Sequence, residues 1–274
     1  QAEHAGEEIA VNFAFASDGS QPLVDKGQVM ARQQFVVNAY KFDKVDTPAQ
    51  AAAPANKKAK VQQAGNIEVE ETNSYVKVSA ERMSVTIGKK TGMIDYLDVD
   101  GEPMLKFRES MTPEFWRAPT DNDMGAQLQK KFKVWKNPQM NIKGVSVEKD
   151  KKANTYSICA VYDMPEVKGE LEIRYLVMPN SGVVKVTETF NATQGEKVSD
   201  LYRFGMLMQL PYEMDKSQYY GRGPIENYSD RKECMNIGIY SDNADNQYFP
   251  YIRPQESGTK ADIRWWKQTD AQGF

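Results

Sequence analysis

The sequence predicts an all-β protein built around a large antiparallel β-sandwich, and three observations predict this class. Short segments alternate apolar and polar side chains, as strands with one buried face do. Clusters of turn-forming residues, such as Lys90-Thr91-Gly92 and Asp100-Gly101, separate these segments. The strand-rich part extends over roughly 200 residues, a length that a single all-β sandwich can reach.

Two strands are predicted near the N-terminus, at residues 9–16 (IAVNFAFA) and 33–42 (QQFVVNAYKF). The intervening SDGSQPL is rich in turn-forming residues and reads as their connection. Because two strands do not make a stable domain by themselves, we expect residues 1–42 to be the end of a sandwich that begins outside this chain.

Residues 43–66 differ in composition from both flanks and are predicted to be a linker. Alanine, proline, lysine and glutamine replace the aromatic and β-branched residues there. An alanine-rich helix is the alternative, but Pro48 and Pro54 argue against a continuous one. A second domain is therefore predicted over residues 67–274.

Within residues 67–274 the alternating pattern predicts further strands, and one segment predicts a helix. The helix is expected over residues 124–136, with Leu128, Phe132 and Trp135 on one face. The strands are expected at residues 75–80, 82–88, 155–164, 169–178 and 183–192.

Composition excludes several classes of function. The 274 residues carry 35 Lys and Arg against 38 Asp and Glu, so no basic field favours nucleic acid. No apolar run approaches the length of a membrane span. His4 is the only histidine, which argues against a Ser-His-Asp triad and a histidine-rich zinc site. Cys159 and Cys234 lack metal-binding spacing and are interpreted as two buried thiols.

Four clusters combine aromatic side chains with arginine, carboxylate or amide groups. They are WRAPTDND (116–123), YYGRGPIENYSDR (219–231), YFPYIRPQESG (248–258) and IRWW (263–266). Aromatic rings stack on sugar faces and charged groups bind hydroxyls, so the clusters are typical of carbohydrate recognition. The same residue types are also enriched in interfaces between protein domains.

The polar residues of these clusters each have a structural alternative. Asp121 and Asp123 flank Asn122 and could hold a cation, but such side chains more often cap turns. Glu226 and Asp230 could form an acid/base pair, but carboxylates beside arginine are more often ion-paired.

The paired tryptophans near the end of the chain also have two interpretations. If Trp265 and Trp266 lie in a strand, one is expected to face the core and the other to be exposed or at an interface. The exposed ring could serve as a sugar platform, and a core-plus-interface arrangement is the alternative.

The first three clusters resemble motifs of a known family. WRAPTDND with the following Met-Gly resembles the RAP-x-DND-x-G motif in the C-terminal β-sandwich of the large bacterial β-galactosidases of glycoside hydrolase family 2. GRGPIENYSDR is similar to G-x-GP-x-ENY-x-DR, and YFPYIRPQESG to Y-x-PY-x-x-P-x-E-x-G, in the same order and at comparable spacing. VMARQQFVV resembles the last strands of the preceding immunoglobulin-like domain, so the resemblance covers the whole chain.

The resemblance implies a fold for this chain and places the catalytic residues in a different domain. Residues 1–42 would end the immunoglobulin-like fourth domain, and residues 67–274 would form most of the galactose-mutarotase-like supersandwich, truncated at its C-terminus. Such enzymes hydrolyse terminal β-galactosides with retention, using two glutamates of a (β/α)₈ barrel. That barrel, and the magnesium that supports it, would lie outside this chain, so no cofactor, no metal site and no catalytic residue are expected within it.

The expected partners are therefore the barrel domain of the same parent chain and, through it, a galactoside. Neither nucleic acid nor a membrane is expected, a homo-oligomeric parent is allowed, and the bacterial compartment stays open between cytoplasm and periplasm. Candidate substrate-binding residues are Arg117, Asp121, Asn122, Asp123, Arg222, Glu226, Asn227, Tyr251, Arg253, Glu256 and Trp266. A loop that moves near the substrate pocket in the family resembles residues 91–101, which implies a hinge at Gly92 and a mobile loop including Tyr96 and Gly101.

Three hypotheses follow for function. The first is a non-catalytic C-terminal region of a β-galactosidase that shapes the pocket rim and buries an interdomain surface. The second is an independent carbohydrate-binding module. The third is an aldose-epimerase-like enzyme, against which the single histidine argues because that chemistry uses histidine as its acid.

Overall fold

The computed structural model describes residues 7–42, 67–150, 154–178 and 181–273. The predicted linker at 43–66 and His4 lie outside these residues. The chain divides into two compact units, one formed by Gln1–Asp43 with Glu213–Phe274 and the other by Lys44–Tyr212. We call them the split unit and the central unit. The domain boundaries at 42 and 67 stay predictions.

Sixteen strands and two short α-helices are present in the described residues. The strands are β1 Ile9–Ala16, β2 Val29–Asn38, β3 Glu68–Glu71, β4 Tyr75–Ser79, β5 Met83–Gly88, β6 Ile94–Val99, β7 Glu102–Pro103, β8 Thr112–Glu114, β9 Asn141–Asp150, β10 Thr155–Met164, β11 Gly169–Met178, β12 Val183–Ala192, β13 Gly205–Leu207, β14 Lys216–Gly223, β15 Asn236–Asn243 and β16 Trp265–Thr269. The helices are α1 Asp121–Gly125 and α2 Leu128–Lys131. Every strand pairing is antiparallel, so the all-β antiparallel prediction is confirmed.

The central unit contains a five-stranded sheet, β3-β4-β5-β6-β7, and a four-stranded sheet, β12-β11-β10-β9. Inward-facing side chains of both sheets contribute to one hydrophobic core. Along β11, Leu171, Ile173, Tyr175 and Val177 are all fully buried at every second position, as the strand period requires. Burial of each such side chain contributes about 1.5–3 kcal/mol, so this alternation stabilises the strand in one register.

The split unit contains the hairpin β1-β2 and a three-stranded sheet in the order β15-β14-β16. The side-chain amide of Gln34 joins the two sheets. It donates to the carbonyl of Ile237 at 2.9 Å and accepts from the Ile237 N–H at 2.7 Å, as a neighbouring backbone would. The hairpin and the C-terminal sheet therefore belong to one compact unit.

The strand predictions at 9–16, 155–164, 169–178 and 183–192 match the observed bounds. The second strand begins earlier than predicted, at Val29, and ends at Asn38. The continuous helix predicted at 124–136 is wrong. Gln127 has a left-handed backbone (φ 56°) between α1 and α2, and a single 3₁₀ turn follows at Lys133–Trp135. Trp135 is nevertheless buried, as the apolar spacing predicts.

Two smaller findings complete the fold. Cys159 is buried but Cys234 is exposed, so the interpretation of two buried thiols is wrong for Cys234. No helix within the described residues is long and apolar enough to cross a membrane.

Candidate functional site

The WRAPTDND segment of the central unit folds around the carboxylate of Asp123. The backbone N–H of Thr120 donates to Asp123 Oδ2 at 2.7 Å, and the Thr120 hydroxyl accepts from the Asp123 N–H at 3.3 Å. This reciprocal pair is a capping box at the start of α1. Asp123 is 6% exposed, so its charge depends on these contacts and on Arg117.

Arg117 forms a bidentate ion pair with Asp123 and stacks on an aromatic ring. Its Nη1 donates to Asp123 Oδ2 and its Nη2 to Oδ1, and its guanidinium lies 4.6 Å from the centroid of Tyr202. Burial by itself would raise the pKa of Asp123, but hydrogen bonds from Arg117 and Thr120 hold that pKa below its usual value. Asp121 and Asn122 lie exposed in the first turn of α1. The segment therefore has the geometry of a locked turn.

Replacing Asp123 by asparagine is expected to destabilise the central unit by about 2 kcal/mol. The substitution removes a hydrogen-bonded charge and leaves the half-buried guanidinium of Arg117 without its carboxylate. Asp121→Asn in the same helical turn is the control, and we expect it to cost under about 1 kcal/mol because Asp121 is exposed at the surface. Urea unfolding would measure both, and equal midpoints for the two variants would contradict the assigned role of Asp123.

In the split unit, the GRGPIENYSDR segment is held by the side chain of Asn227. Its Nδ2 donates to the carbonyls of Arg222 at 2.9 Å and Ile225 at 3.0 Å, and its Oδ1 accepts from the N–H of Ala261 at 2.9 Å. The Asn227 backbone N–H also donates to the carbonyl of Thr259 at 2.8 Å. Asn227 is 0% exposed, so it joins two stretches of chain from within the protein.

Glu226 lies next to it, 3% exposed, and connects this segment to YFPYIRPQESG. The Tyr251 hydroxyl donates to Glu226 Oε1, and the N–H of Gly258 lies 3.4 Å from Oε2. Arg231 lies 3.8 Å from the Glu226 carboxylate and donates to the Tyr251 hydroxyl at 2.9 Å. The Glu226 carboxylate therefore has an arginine and a tyrosine as partners inside the protein, in agreement with the ion-paired alternative.

The remaining candidate residues of the split unit lie around this cluster. Arg222 pairs with Asp262 at 2.5 Å and also donates to the carbonyls of Lys232 and Met235. Glu256 accepts from the Thr259 hydroxyl at 3.2 Å, and Arg253 is exposed. The structure thus brings Arg222, Glu226, Asn227 and Tyr251 into one hydrogen-bonded region. Arg117, Asp121, Asn122 and Asp123 form a separate group within the central unit.

Trp265 and Trp266 occupy β16, where successive side chains point to opposite faces. Trp265 is half-buried, whereas Trp266 is 41% exposed and stacks on Tyr219 with ring centroids 5.1 Å apart and planes 11° apart. The exposed tryptophan that was predicted is Trp266, but the predicted core tryptophan is wrong for Trp265, which is only half-buried. A sugar-platform role for Trp266 stays a prediction.

Sequence reasoning missed an ion pair between the two ends of the chain. The fully buried carboxylate of Glu8 accepts from Arg264 Nε at 2.9 Å, from Arg264 Nη2 at 2.6 Å and from the Tyr220 hydroxyl at 2.7 Å. Burial would raise the pKa of Glu8, but the hydrogen bonds from Arg264 and Tyr220 lower it below its usual value. This pair holds the start of the split unit against β14 and β16.

Acid is expected to weaken this contact. The pKa of Glu8 is lower in the folded chain than in the unfolded chain, so its stabilisation is complete above the unfolded value, about 4.3, and is lost as the pH falls through the folded value. We expect Glu8→Gln to be less stable than the parent by about 1–3 kcal/mol at neutral pH and by a smaller margin below about pH 4. Urea unfolding across pH would test this, and a difference that does not change with pH would contradict it.

The predicted mobile loop begins at a buried turn of the central unit. Gly92 has φ +69°, its carbonyl accepts from the Tyr175 hydroxyl at 3.0 Å, and the carbonyl of Thr91 accepts from the Tyr162 hydroxyl at 2.6 Å. Tyr96 is exposed on β6, and Gly101 follows that strand in a tight turn. Motion of the loop stays a prediction, and the contacts at Gly92 favour a fixed turn there.

No group of three or more histidine, cysteine, aspartate or glutamate side chains is arranged to hold a metal ion in the part of the chain that the structure describes. The absence of a cofactor from this chain stays a prediction.

Comparison with known proteins places these motifs in a family. Residues 79–274 match the family model described as "Beta galactosidase small chain". The chain is 26% identical over 273 residues to the β-galactosidase of Priestia megaterium, covering 99% of this chain and 24% of that protein. It is 28% identical over 211 residues to that of Halalkalibacterium halodurans (76% and 20%) and 29% identical over 228 residues to that of Lactobacillus delbrueckii subsp. bulgaricus (83% and 22%).

The chain thus spans about a quarter or less of the length of these curated relatives. The family model covers most of the chain, including all three motif clusters that carry the resemblance. The chain belongs to the β-galactosidase small chain family.

Proposed function

We propose that this chain is a non-catalytic region of a β-galactosidase that hydrolyses terminal non-reducing β-D-galactose residues with retention. The two catalytic glutamates, and the magnesium that supports them, would belong to a barrel domain outside this chain. This region would contribute interdomain contacts and part of the pocket rim, in a parent that could be homo-oligomeric.

The observation that carries the proposal is the internal use of the motif side chains. Asp123 is bound by Arg117 and Thr120, Glu226 by Tyr251 and Arg231, and Asn227 by backbone groups. A catalytic acid or base must reach a substrate, and a buried group with its hydrogen bonds already made inside the protein does not. The motif groups therefore suit a scaffold that fixes loops.

Two features support a docking role, one internal and one on the surface. In the central unit, the Tyr202 hydroxyl and Gln129 Oε1 are buried without a hydrogen-bond partner among the described residues. Buried polar groups are normally paired, so we expect these two to gain hydrogen-bond partners when a neighbouring domain docks and the side chains around them repack. In the split unit, the hairpin exposes Phe13, Phe15 and Phe35, and such apolar surface favours burial against further protein.

A chimera tests the proposal. This chain would replace the matching segment of the Priestia megaterium β-galactosidase, with which it aligns over nearly its whole length. We expect the chimera to hydrolyse a nitrophenyl β-galactoside and the purified chain alone to be inactive. The relative lacking the segment is expected to lose activity, because the segment would complete the pocket rim and the interdomain surface.

Variants in the chimera test whether the buried hydroxyl of Tyr202 contributes to domain docking. Tyr202→Phe removes only the buried hydroxyl, and Phe132→Leu beside the same ring is the control for altered packing. We expect Tyr202→Phe to change KM or domain association in the chimera while the purified chain keeps its stability. A relative that keeps full activity without the segment would contradict the proposed contribution.

A further inference from the structure

We propose that a cavity in the split unit binds one ring of a neutral sugar or a polyol of similar size. The cavity has a volume of about 270 Å³, enough for a single pyranose ring. Its lining includes Ile225, Glu226, Asp242, Tyr248, Phe249 and Lys260. The inference goes beyond the proposed function, because it requires only this chain.

Lys260 supplies hydrogen-bond donors to the cavity. Its half-buried ammonium lies 3.4 Å from the carbonyl of Gly258, which is its one hydrogen-bond acceptor among the described residues, and 5.8 Å from the centroid of the Tyr219 ring. An ammonium has three donors, so donor capacity remains for a ligand. Burial lowers the pKa of Lys260, which reflects the loss of hydrating water on this side chain.

One carboxylate with free acceptor capacity, that of Asp242, lines the same cavity without pairing directly with Lys260. Asp242 and Glu226 both attract the ammonium electrostatically, yet neither forms an ion pair with it in the described part of the chain. Asp242 Oδ1 accepts from the N–H of Asn243 at 2.9 Å, which leaves acceptor capacity on the carboxylate. A hydroxyl group can donate to a carboxylate while accepting from an ammonium, so a ligand with adjacent hydroxyls fits between these groups.

The charges favour a neutral ligand over an ionic one. Glu226 is already compensated by Arg231 and Tyr251, so Lys260 and Asp242 leave the cavity close to electrical balance. A carboxylate ligand would approach Asp242 and Glu226, and a cationic ligand would approach Lys260, with a repulsive contact in each case. Hydroxyl groups avoid both contacts.

The walls are fixed before any ligand arrives. Asn243 caps the 3₁₀ turn Ala244–Gln247 by accepting from the N–H of Asn246 at 3.1 Å. The N–H of Phe249 donates to Ser257 at 2.8 Å, and Arg231 lies 4.3 Å from the Phe249 ring. A preformed wall lowers the entropy lost on binding, which a small ligand otherwise cannot offset.

The rim provides an apolar surface for a sugar face. Tyr248 is 72% exposed at the edge of the cavity, and Ile225 is exposed beside it. A tyrosine ring can stack on the C–H face of a pyranose while its hydroxyl stays hydrated. The polar base of the cavity thus suits the hydroxyl groups of a sugar ring, and the aromatic rim suits its C–H face.

Titration of the purified chain with D-galactose, D-glucose and sodium glucuronate would test the assignment, by calorimetry and saturation-transfer NMR. We expect saturable binding of at least one neutral hexose with a dissociation constant of about 1–10 mM, and weaker binding of glucuronate. Lys260→Met and Tyr248→Ala should each weaken binding by about tenfold or more. Tyr248 is on the surface, so its variant is expected to fold normally.

Matched controls are Lys267→Met, which removes an exposed lysine from β16, and Tyr212→Ala, which removes another exposed tyrosine. Both should bind sugar as the parent does. Three results would overturn the assignment: no saturation by either hexose, unchanged affinity in Lys260→Met and Tyr248→Ala, or tighter binding of glucuronate than of both hexoses. None of these results depends on hydrolysis, so the inference and the proposed function can fail separately.

Discussion

Replacing Asn227 by alanine is expected to destabilise the split unit by about 3–5 kcal/mol, because three backbone groups lose at once the buried side chain that pairs with them. These groups are the carbonyls of Arg222 and Ile225 and the N–H of Ala261. An unpaired buried polar group costs about 1–3 kcal/mol, and water can replace part of the loss by entering the space left by the amide. The stretches around residues 222–227 and 259–261 should then separate.

Hydrogen exchange followed by mass spectrometry would locate the effect of Asn227→Ala. We expect faster exchange in β14 and residues 259–264, with little change in β10 and β11. Asn191→Ala, at an exposed position on β12, is the control and should leave the free energy of unfolding in urea within about 0.5 kcal/mol of that of the parent. Exchange that rises equally in β10 and β11, or a midpoint equal to that of the control, would contradict the role given to Asn227.

Gly92→Ala is expected to destabilise the central unit by a similar amount, about 3–5 kcal/mol. A Cβ at this position would lie 2.1 Å from the Tyr162 hydroxyl, 2.7 Å from Ala160 Cβ and 2.9 Å from Ile142 Cδ1. The residue also has φ +69°, where a side chain adds strain of about 1–2 kcal/mol. The buried turn must shift, and the hydrogen bond from Tyr162 to the carbonyl of Thr91 is expected to break.

Two other glycines separate the causes of that loss. Gly101 has φ +87° with open space around it, so Gly101→Ala should show the backbone strain alone. Gly144 has neither a positive φ nor a close neighbour, so Gly144→Ala should change stability by less than about 1 kcal/mol. Thermal unfolding would rank the three variants. A Gly92→Ala loss no larger than that of Gly101→Ala would contradict the steric argument and favour a flexible turn at Gly92.

The strands that sequence predicts best are those of the four-stranded sheet. β11 alternates buried and half-buried side chains almost without interruption, and β10 and β12 keep apolar side chains on the core-facing side at most positions. β9 was not predicted, since Lys143 and Gly144 interrupt its apolar pattern and its partner β10 decides its conformation. Periodicity also predicted a helix at 124–136, where the left-handed backbone of Gln127 is a tertiary outcome that no local pattern indicates.

The sequence indicated which residue types form the candidate site, but for most of them it did not indicate which residues pair with each other. Arg117 and Asp123 are six residues apart, close enough along the chain for the local ion pair that the structure has. Glu8 and Arg264 are 256 residues apart, and no sequence pattern connects them. No strand is predicted within the cluster YYGRGPIENYSDR, yet its first part belongs to β14, whose neighbours β15 and β16 come from later in the chain.

Glycine illustrates the same limit. A glycine at position 92 is consistent with a mobile hinge and equally with close packing of other side chains against its backbone, because both favour a residue without a side chain. Its burial against Tyr162 and Ala160 depends on β10, which lies far along the chain. Local sequence therefore indicated a special position without indicating the reason for it.

The central claim is that the motif side chains build a scaffold and do not carry out hydrolysis. Its most direct test is the rate at which the purified chain hydrolyses a nitrophenyl β-galactoside, compared with Glu226→Gln and Asp123→Asn. We predict that all three proteins leave the rate at that of buffer alone, while the two variants unfold at lower urea concentrations than the parent. Hydrolysis by the parent that disappears in either folded variant would contradict the claim and assign the chemistry to this chain.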